Sequence, residues 1–449
     1  MTACALILKG GRIVAVLKTS ELPRDDNDCG WWQLHQPSGE FSTLTEDLNC
    51  DYAVIGAGWT GLAAARRLAE FKPDARIIVL ESGQIGNGSA GRNSGFYYDL
   101  PFLFPADEFK GREEDGRQEI RLYRSIIGEL RDFVSNHNVN CDWSEIGQYH
   151  AAVSVEGANE LKLIEACLDN LGEDYRTLGP VDFKKALGTD YYRSGIHTPG
   201  TVQINPLALI RALANNMPDN VTVYENSPVK RIEGGSRPRL ELNSGILIAG
   251  EILLTTNTFV RSFIGARSRL VPLITFASIT KPVDSGLVPG GESQWGVVPS
   301  GLFGSSMRRL SNNRYLVRST YAYGADYWGS KRLKARAMER QMLSLRRRFL
   351  DAVNFQFDWS WSGLVSFFRG ANGWLGEVEP NVYAAVSSGM PLCTLFGQQL
   401  AAFVVDAGGD ALDFVLRRSH PAGLPPEPIL RYTVRAMTSL RQNQEWMEI

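Results

Sequence analysis

Gly56-Ala57-Gly58-Trp59-Thr60-Gly61 is a G-x-G-x-x-G turn, the spacing that lets a chain cradle a pyrophosphate. Gly56 permits the tight turn, Gly58 has no Cβ to keep a phosphate from the backbone, and Gly61 lets a helix pack closely on a strand. The first N–H groups of a helix starting at Trp59 and Thr60 are free to bind anionic oxygens. Glu81, followed by Ser82, stands where a carboxylate meets ribose hydroxyls. These residues fit NAD or FAD equally. A second glycine-rich stretch, Gly86-Asn87-Gly88-Ser89-Ala90-Gly91-Arg92-Asn93-Ser94-Gly95, tips the reading to FAD. Its backbone is suited to run beside a flavin, with Ser89 and Arg92 near the pyrophosphate.

The elements that position these residues are legible around them. Tyr52-Ala53-Val54-Ile55 is a short apolar strand. Residues 62–71 have helical periodicity, with Leu62, Ala65, Leu68 and Ala69 on one face. Pro73-Asp74 ends that helix, and residues 76–80 form a second strand ending at Glu81. Strand, turn, helix and strand in about 30 residues make a βαβ unit. Further helices are expected at 122–137, 158–171, 206–216, 331–349 and 389–406, and strands at 221–232, 239–242 and 250–255. Ahead of the unit, Lys9-Gly10-Gly11-Arg12 between two apolar runs reads as a hairpin, and Trp31-Trp32 as an anchor of this extension.

A chain of 449 residues is too long for one ordinary core and implies more than one domain. With 44% hydrophobic and 21% charged residues it has a globular composition, and a net charge of −2 points to neither nucleic acid nor an anionic surface. The basic run in 331–348 reads as a solvated helix face. Six cysteines and five histidines are scattered without metal-ligand spacing, so no metal site and free thiols are expected. No run of about 18 apolar residues suggests a membrane span, and the expected location is the cytoplasm.

The pairing of residues 54–61 and Glu81 with Gly88-Ser89-Ala90-Gly91-Arg92-Asn93-Ser94-Gly95 resembles the D-amino-acid-oxidase superfamily of flavoproteins. The G-R-N-x-G form and the Trp31-Trp32 lead-in are most similar to its γ-glutamylputrescine oxidoreductase branch. Weaker likenesses continue at Asn205-Pro206, Ser227-Pro228-Val229-Lys230, residues 253–257, 271–282, Trp361-Ser362-Gly363 and residues 381–384. The resemblance implies an α/β (α+β) protein with a Rossmann-like FAD-binding domain, discontinuous over 46–100, 195–265 and 360–410. It further implies an antiparallel-sheet substrate domain from 101–194 and 266–359, with an extension at 1–45 and a tail at 411–449. Val229 and Thr256 would join the cofactor set, as would Gly389-Met390, which with Pro391 stands where the family often has Gly-His-Gly. Neither His nor Cys lies in 88–95, so the FAD is expected to be non-covalent.

The activity implied is oxidation of the C–N bond of an amine or amino acid to an imine, which water converts to a carbonyl compound. Candidates at the substrate face are Arg318, for a carboxylate; Lys281, as a positive charge near the flavin; and an aromatic group of Tyr321, Tyr323, Tyr327 and Trp328. Tyr97 and Tyr98 are candidates to cover the flavin ring. The departure at Met390-Pro391 and the added terminal segments leave open a catalytically silent flavin-binding subunit, and a different flavin reaction such as hydroxylation. The tail offers a surface for a protein partner or a second copy of the chain.

Overall fold

The computed structural model describes residues 6–9, 12–15, 28–35, 39–101, 109, 111–264, 269–284, 291, 294–324, 329–349 and 354–449. Two eight-stranded sheets organise them. The first is built on four parallel contacts. Leu48–Ile55 lies between Ile77–Leu80 and Ile246–Leu254; Val221–Tyr224 extends one side and Val382–Ser387 the other. Strands covered on both faces should be apolar throughout, and Ile77, Ile78, Val79 and Leu80 are all buried. Arg231–Glu233, Arg239–Glu241 and Gly373–Glu379 add antiparallel edges. The helix Trp59–Phe71 buries Leu62, Ala64, Ala65 and Leu68 against this sheet and against the helix Met390–Val404.

The expected strand at 221–232 is two strands, Val221–Tyr224 and Arg231–Glu233. Asn226 takes a positive φ of 49°, and Pro228 has no N–H for a ladder, so the chain turns away between them. The detour has a use: Ser227 N–H donates to Glu81 O at 2.8 Å, bringing the segment before Val229 to the end of the second strand.

The second sheet runs Phe357–Phe368, Leu270–Thr280, Tyr315–Tyr323, Ser306–Arg309, Trp295–Pro299, Gln148–Ala152, Ser194–Thr198, Arg176–Leu178. Every pair is antiparallel except Trp295–Pro299 with Gln148–Ala152. Ser194–Thr198 and Phe357–Phe368 thus pair in this sheet, and the boundaries expected at 195 and 360 fall inside its strands. Both segments carry β-branched and aromatic residues that suit either sheet, so composition alone does not assign them.

The register between Leu270–Thr280 and Tyr315–Tyr323 shifts at Thr275/Phe276. Thr275 faces Tyr321 and Phe276 faces Ser319, leaving Thr320 as the extra residue, with φ of +64°. This is a β-bulge, and it changes side-chain parity. Residues 318 and 321 would point to opposite faces of a regular strand; with one residue bulged out, Arg318 and Tyr321 point to the same face.

At the N-terminus Leu6–Lys9 and Arg12–Ala15 pair antiparallel, while the Gly10-Gly11 turn between them lies outside the described residues. The tail carries the helix Ile429–Gln444, whose Leu430 and Val434 pack with Leu273, Phe303, Tyr321 and Tyr323, and then a short 3-10 turn, Trp446–Glu448. Among the described residues no helix is long and apolar enough to cross a membrane.

Candidate active site

The glycine turn closes as its sequence requires. Gly56 has φ of +104°, and a Cβ on Gly61 would stand 1.8 Å from Gly56 O and 2.7 Å from Thr255 Oγ1. The helix therefore begins in direct contact with the turn. Thr255 Oγ1 donates within this joint, 2.9 Å from Ile55 O and 3.0 Å from Gly56 O. Sequence reasoning selected its neighbour Thr256 and missed this lock. Thr256 Oγ1 is buried and finds no hydrogen-bond partner among the described residues. A Cβ on Gly58 would meet nothing closer than Ala90 Cβ at 3.8 Å, so the space above the turn is open.

Glu81 accepts from Ala57 N–H at 2.9 Å, Ser82 Oγ at 3.0 Å and Gly83 N–H at 3.3 Å. Burial raises its pKa above the ordinary carboxylate value, and those three donors oppose the rise. Ser82 thus serves Glu81. An orphaned Thr256 hydroxyl, an open glycine turn and a carboxylate at the end of the second strand form a donor and acceptor set that fits the ADP part of FAD.

Residues 89–95 are held from three sides by indole N–H groups. Trp31 donates to Asn93 O at 2.8 Å, Trp59 to Ala90 O at 3.1 Å and Trp361 to Arg92 O at 2.8 Å. Asn93 closes the loop itself: Nδ2 donates to Ala90 O at 2.7 Å and Oδ1 accepts from Gly95 N–H at 2.9 Å. Arg92 is buried and its Nε donates to Ser362 O at 2.8 Å. Trp31 is thus the anchor that the extension was expected to supply, and the place it anchors is this loop.

Arg308 was not singled out from the sequence. It is buried in the second sheet, and its Nη1 donates to Ser94 O at 2.8 Å, Gly95 O at 3.2 Å and Ile204 O at 2.8 Å. It lies over the rings of Trp31 and Phe96. Burial lowers its pKa to about 10, which leaves it charged at neutral pH. Gly95, at φ of +77°, leaves it room, since a Cβ there would stand 2.1 Å from Arg308 Nη1. No local pattern marks an arginine that ties the second sheet to residues 94–95 and 204; only the tertiary fold brings it there.

A cavity of about 720 Å³ lies between this loop and the second sheet. It gathers Ser89, Arg92, Asn93 and Ser94 from the loop and Gly389, Met390 and Pro391 from the start of the helix Met390–Val404. Thr275, Phe276 and Ala277 at the bulge, Gly363 to Phe368, Tyr98, Arg318 and Tyr321 complete most of its wall. Gly389 has φ of +95°, which turns the chain into that helix. Cys393, on the same helix, does not line the cavity; burial raises its thiol pKa and its Sγ contacts Ser387 O at 3.4 Å. Among the described residues no Cys or His lines the cavity.

Arg318 is half-buried, donates to Tyr321 Oη at 2.6 Å and Ser306 Oγ at 3.1 Å, and has no carboxylate partner among the described residues. Glu119, also on the wall, accepts from Tyr123 Oη at 2.6 Å and lies 3.3 Å from Arg418.

Three expectations are corrected here. Lys281 does not reach the cavity: it is exposed, past the end of Leu270–Thr280, and so roughly 13 Å along the strand from Ala277 at about 3.3 Å per residue. Tyr323 shares the sheet face of Tyr321 but lies under the tail, donating its hydroxyl to Glu427 and packing on Leu430. Tyr97 points the other way from Tyr98, into the core, where its hydroxyl bonds Thr394 Oγ1 at 2.9 Å. Tyr327 and Trp328 lie outside the described residues. Val229 is buried beside Ile78 and Leu80, away from this cavity and near the Glu81 end.

Comparison with known proteins decides the lineage. The model of the DAO family, FAD-dependent oxidoreductases, matches residues 51–403. This chain belongs to that family. The probable oxidoreductase OrdL of Haemophilus influenzae is 25% identical over 384 residues, covering 82% of this chain and 85% of the relative. The γ-glutamylputrescine oxidoreductase of Escherichia coli is 23% identical over 402 residues, covering 85% and 89%. Glycine oxidase from Geobacillus kaustophilus shares the fold at a TM-score of 0.68 and 19% identity, over 83% of this chain and all of that one. The protein is an FAD-dependent oxidoreductase of mixed α/β fold. Among the described residues no group of His, Cys, Asp or Glu is arranged to hold a metal ion.

Proposed function

We propose that this oxidoreductase oxidises the C–N bond of a small amine that carries a carboxylate, an amino acid or an N-substituted amino acid. The observation that carries the reading is Arg318, a cation that has no carboxylate partner among the described residues and stands on the wall of the cavity that also exposes residues 89–94 and Gly389-Met390. Its guanidinium has donors left for a bidentate pair with a carboxylate, and Tyr321 and Ser306 hold it in place. The Thr320 bulge supports the reading because it puts Arg318 and Tyr321 on one face.

Gly56 to Gly61, Glu81, Thr256 and residues 89–95 would hold FAD, which when bound would supply the two-electron acceptor for oxidation of the amine to the imine. The chain's residues do the rest. Phe276, Leu364, Phe367 and Phe368 give the cavity an apolar wall that disfavours the ammonium form and favours the neutral amine. Glu119 is engaged by Tyr123 and Arg418, so proton removal is assigned to this depressed amine pKa rather than to a dedicated base. Water then adds to the imine carbon and the C–N bond breaks, giving the carbonyl product and ammonia or an amine. The FAD is proposed to be non-covalent, as neither Cys nor His stands in residues 88–95. The five described cysteines are free thiols, which supports the cytoplasm as the compartment. Two domains, one on each sheet, remain the proposed organisation.

The test is product analysis. The holoprotein is incubated with amino acids and with matched amines lacking the carboxylate, and carbonyl products are trapped with a hydrazine. Carbonyl formed from the carboxylate series in preference to the amines is the expected result. Flavin that only NAD(P)H reduces would move the protein to a hydroxylation-type reaction; flavin that nothing reduces would make it a silent subunit.

A further inference from the structure

Large apolar side chains are seldom exposed on this chain, and where they are, they cluster. Ten are exposed among the described residues, and six of them are Ile429, Tyr432, Met437, Leu440, Trp446 and Met447. The helix Ile429–Gln444 explains how. Its inner face, Leu430, Val434, Thr438 and Gln442, is buried, and Gln442 bonds Tyr321 O at 3.0 Å. At about 100° per residue, Ile429, Tyr432 and Leu440 form a stripe on the opposite side, with Met437 at its edge. The helix is thus apolar on two faces, only one of which packs on the body.

Within 429–449 the exposed charges are basic, and Glu427, just before the helix, is engaged by Arg261 and Tyr323. Arg435 and Arg441 are exposed and flank the stripe at about 120° to either side. Trp446 sits between Arg340 and Arg347, whose guanidinium carbons lie 5.3 and 5.0 Å from its ring. The two acidic residues of 429–449 turn inward: Glu445 accepts from Phe303 N–H at 2.7 Å, and Glu448 from Ser154 N–H at 2.9 Å and Ser154 Oγ at 2.6 Å. The chain's net charge of −2 conceals this local excess.

We propose that the outer face of the helix Ile429–Gln444, with Trp446 and Met447, docks on an anionic lipid surface. An apolar stripe carrying Tyr and Trp, flanked by arginines, has the form of a helix that lies in the membrane interface without crossing it. The arginines select negatively charged headgroups. A second copy of the chain fits less well, because an isologous contact sets the same basic patch against itself. The sheet beneath keeps the helix formed, so ordering it costs nothing further on docking.

The experiment is flotation of the full-length holoprotein with vesicles of phosphatidylcholine alone or with added phosphatidylglycerol, at low and high salt. Binding to the anionic vesicles, reduced by salt and absent from the neutral ones, is expected. Arg435→Gln with Arg441→Gln should lower partitioning roughly 25-fold, about fivefold for each charge. Tyr432→Ser with Leu440→Ser should abolish it. The flavin spectrum and melting curve check that each variant is folded. Failure to bind anionic vesicles, or binding that survives both variants, overturns the proposal. So does a dimer of the wild-type protein that Tyr432→Ser with Leu440→Ser splits, because a second copy then covers the stripe.

Discussion

Replacing Arg318 by Gln removes the charge and the fork while keeping a polar, though shorter, side chain. A guanidinium has five N–H donors, and two of those of Arg318 are engaged by Tyr321 and Ser306. The remainder are available to a carboxylate. A hydrogen bond to a charged group contributes about 1.5–3 kcal/mol. Two such bonds would give twice that, but Arg318 is only half-buried and solvent screens the pair, so about 3 kcal/mol is the working figure. This corresponds to a loss of roughly 150-fold in kcat/KM for a carboxylate substrate. An amine without a carboxylate makes no such contact and should change by less than about threefold, on the order of 0.6 kcal/mol. Fold stability should fall by only about 1–3 kcal/mol, for the bonds to Tyr321 Oη and Ser306 Oγ, since Arg318 has no carboxylate partner among the described residues. The assay is anaerobic stopped-flow reduction of the flavin with matched substrate pairs, wild type against R318Q. An equal loss for both members of a pair, or none for either, would refute the assignment.

Three further outcomes follow from the geometry. Gly61→Ala puts a Cβ 1.8 Å from Gly56 O and should yield folded protein depleted of flavin, at a cost of about 1–3 kcal/mol in stability; flavin retained at the wild-type ratio of visible to ultraviolet absorbance would contradict it. Trp31→Phe deletes the N–H donor to Asn93 O and should weaken FAD binding about tenfold, read by fluorescence titration of the apoprotein; an unchanged Kd would mean the extension does not support the loop. His150 is buried, and burial, then the nearby His197, lowers its pKa from 6.5 to about 4. The unfolded chain takes up this proton as pH falls below 6.5, the folded chain only near 4. The neutral imidazole's contribution is therefore complete above pH 6.5 and is lost as pH falls toward 4, up to about 3 kcal/mol. His150→Gln should flatten that part of the Tm profile, and an equally steep profile would contradict it.

The cofactor end of the protein was legible because its chemistry is local. Gly56, Gly58, Gly61 and Glu81 lie on one βαβ unit, and their spacing states their job. The helix Pro206–Asn215 was likewise set by Asn205, whose Oδ1 caps Leu207 and Ala208 N–H. The strand at 221–232 was less legible, because its break depends on one proline and one asparagine in a turn that serves Glu81. Lys281 and Tyr323 failed as candidates for a related reason. Sequence shows that a residue is on a strand, but not which end of it faces the cavity or what covers the sheet. The Thr320 bulge is invisible to alternation, since one extra residue reverses parity without any motif. Arg308, Thr255 and the hydrogen bond from Trp361 owe their roles to chain segments far apart in sequence.

The most direct test of the central claim is one anaerobic cuvette. The purified protein is brought to saturation with FAD, its visible spectrum recorded, and a panel of amino acids and amines titrated in. The account predicts flavin bands at the start, bleached by at least one carboxylate-bearing amine and restored by an oxidant. A protein that binds no FAD, or one whose bands no amine or amino acid bleaches, would contradict it.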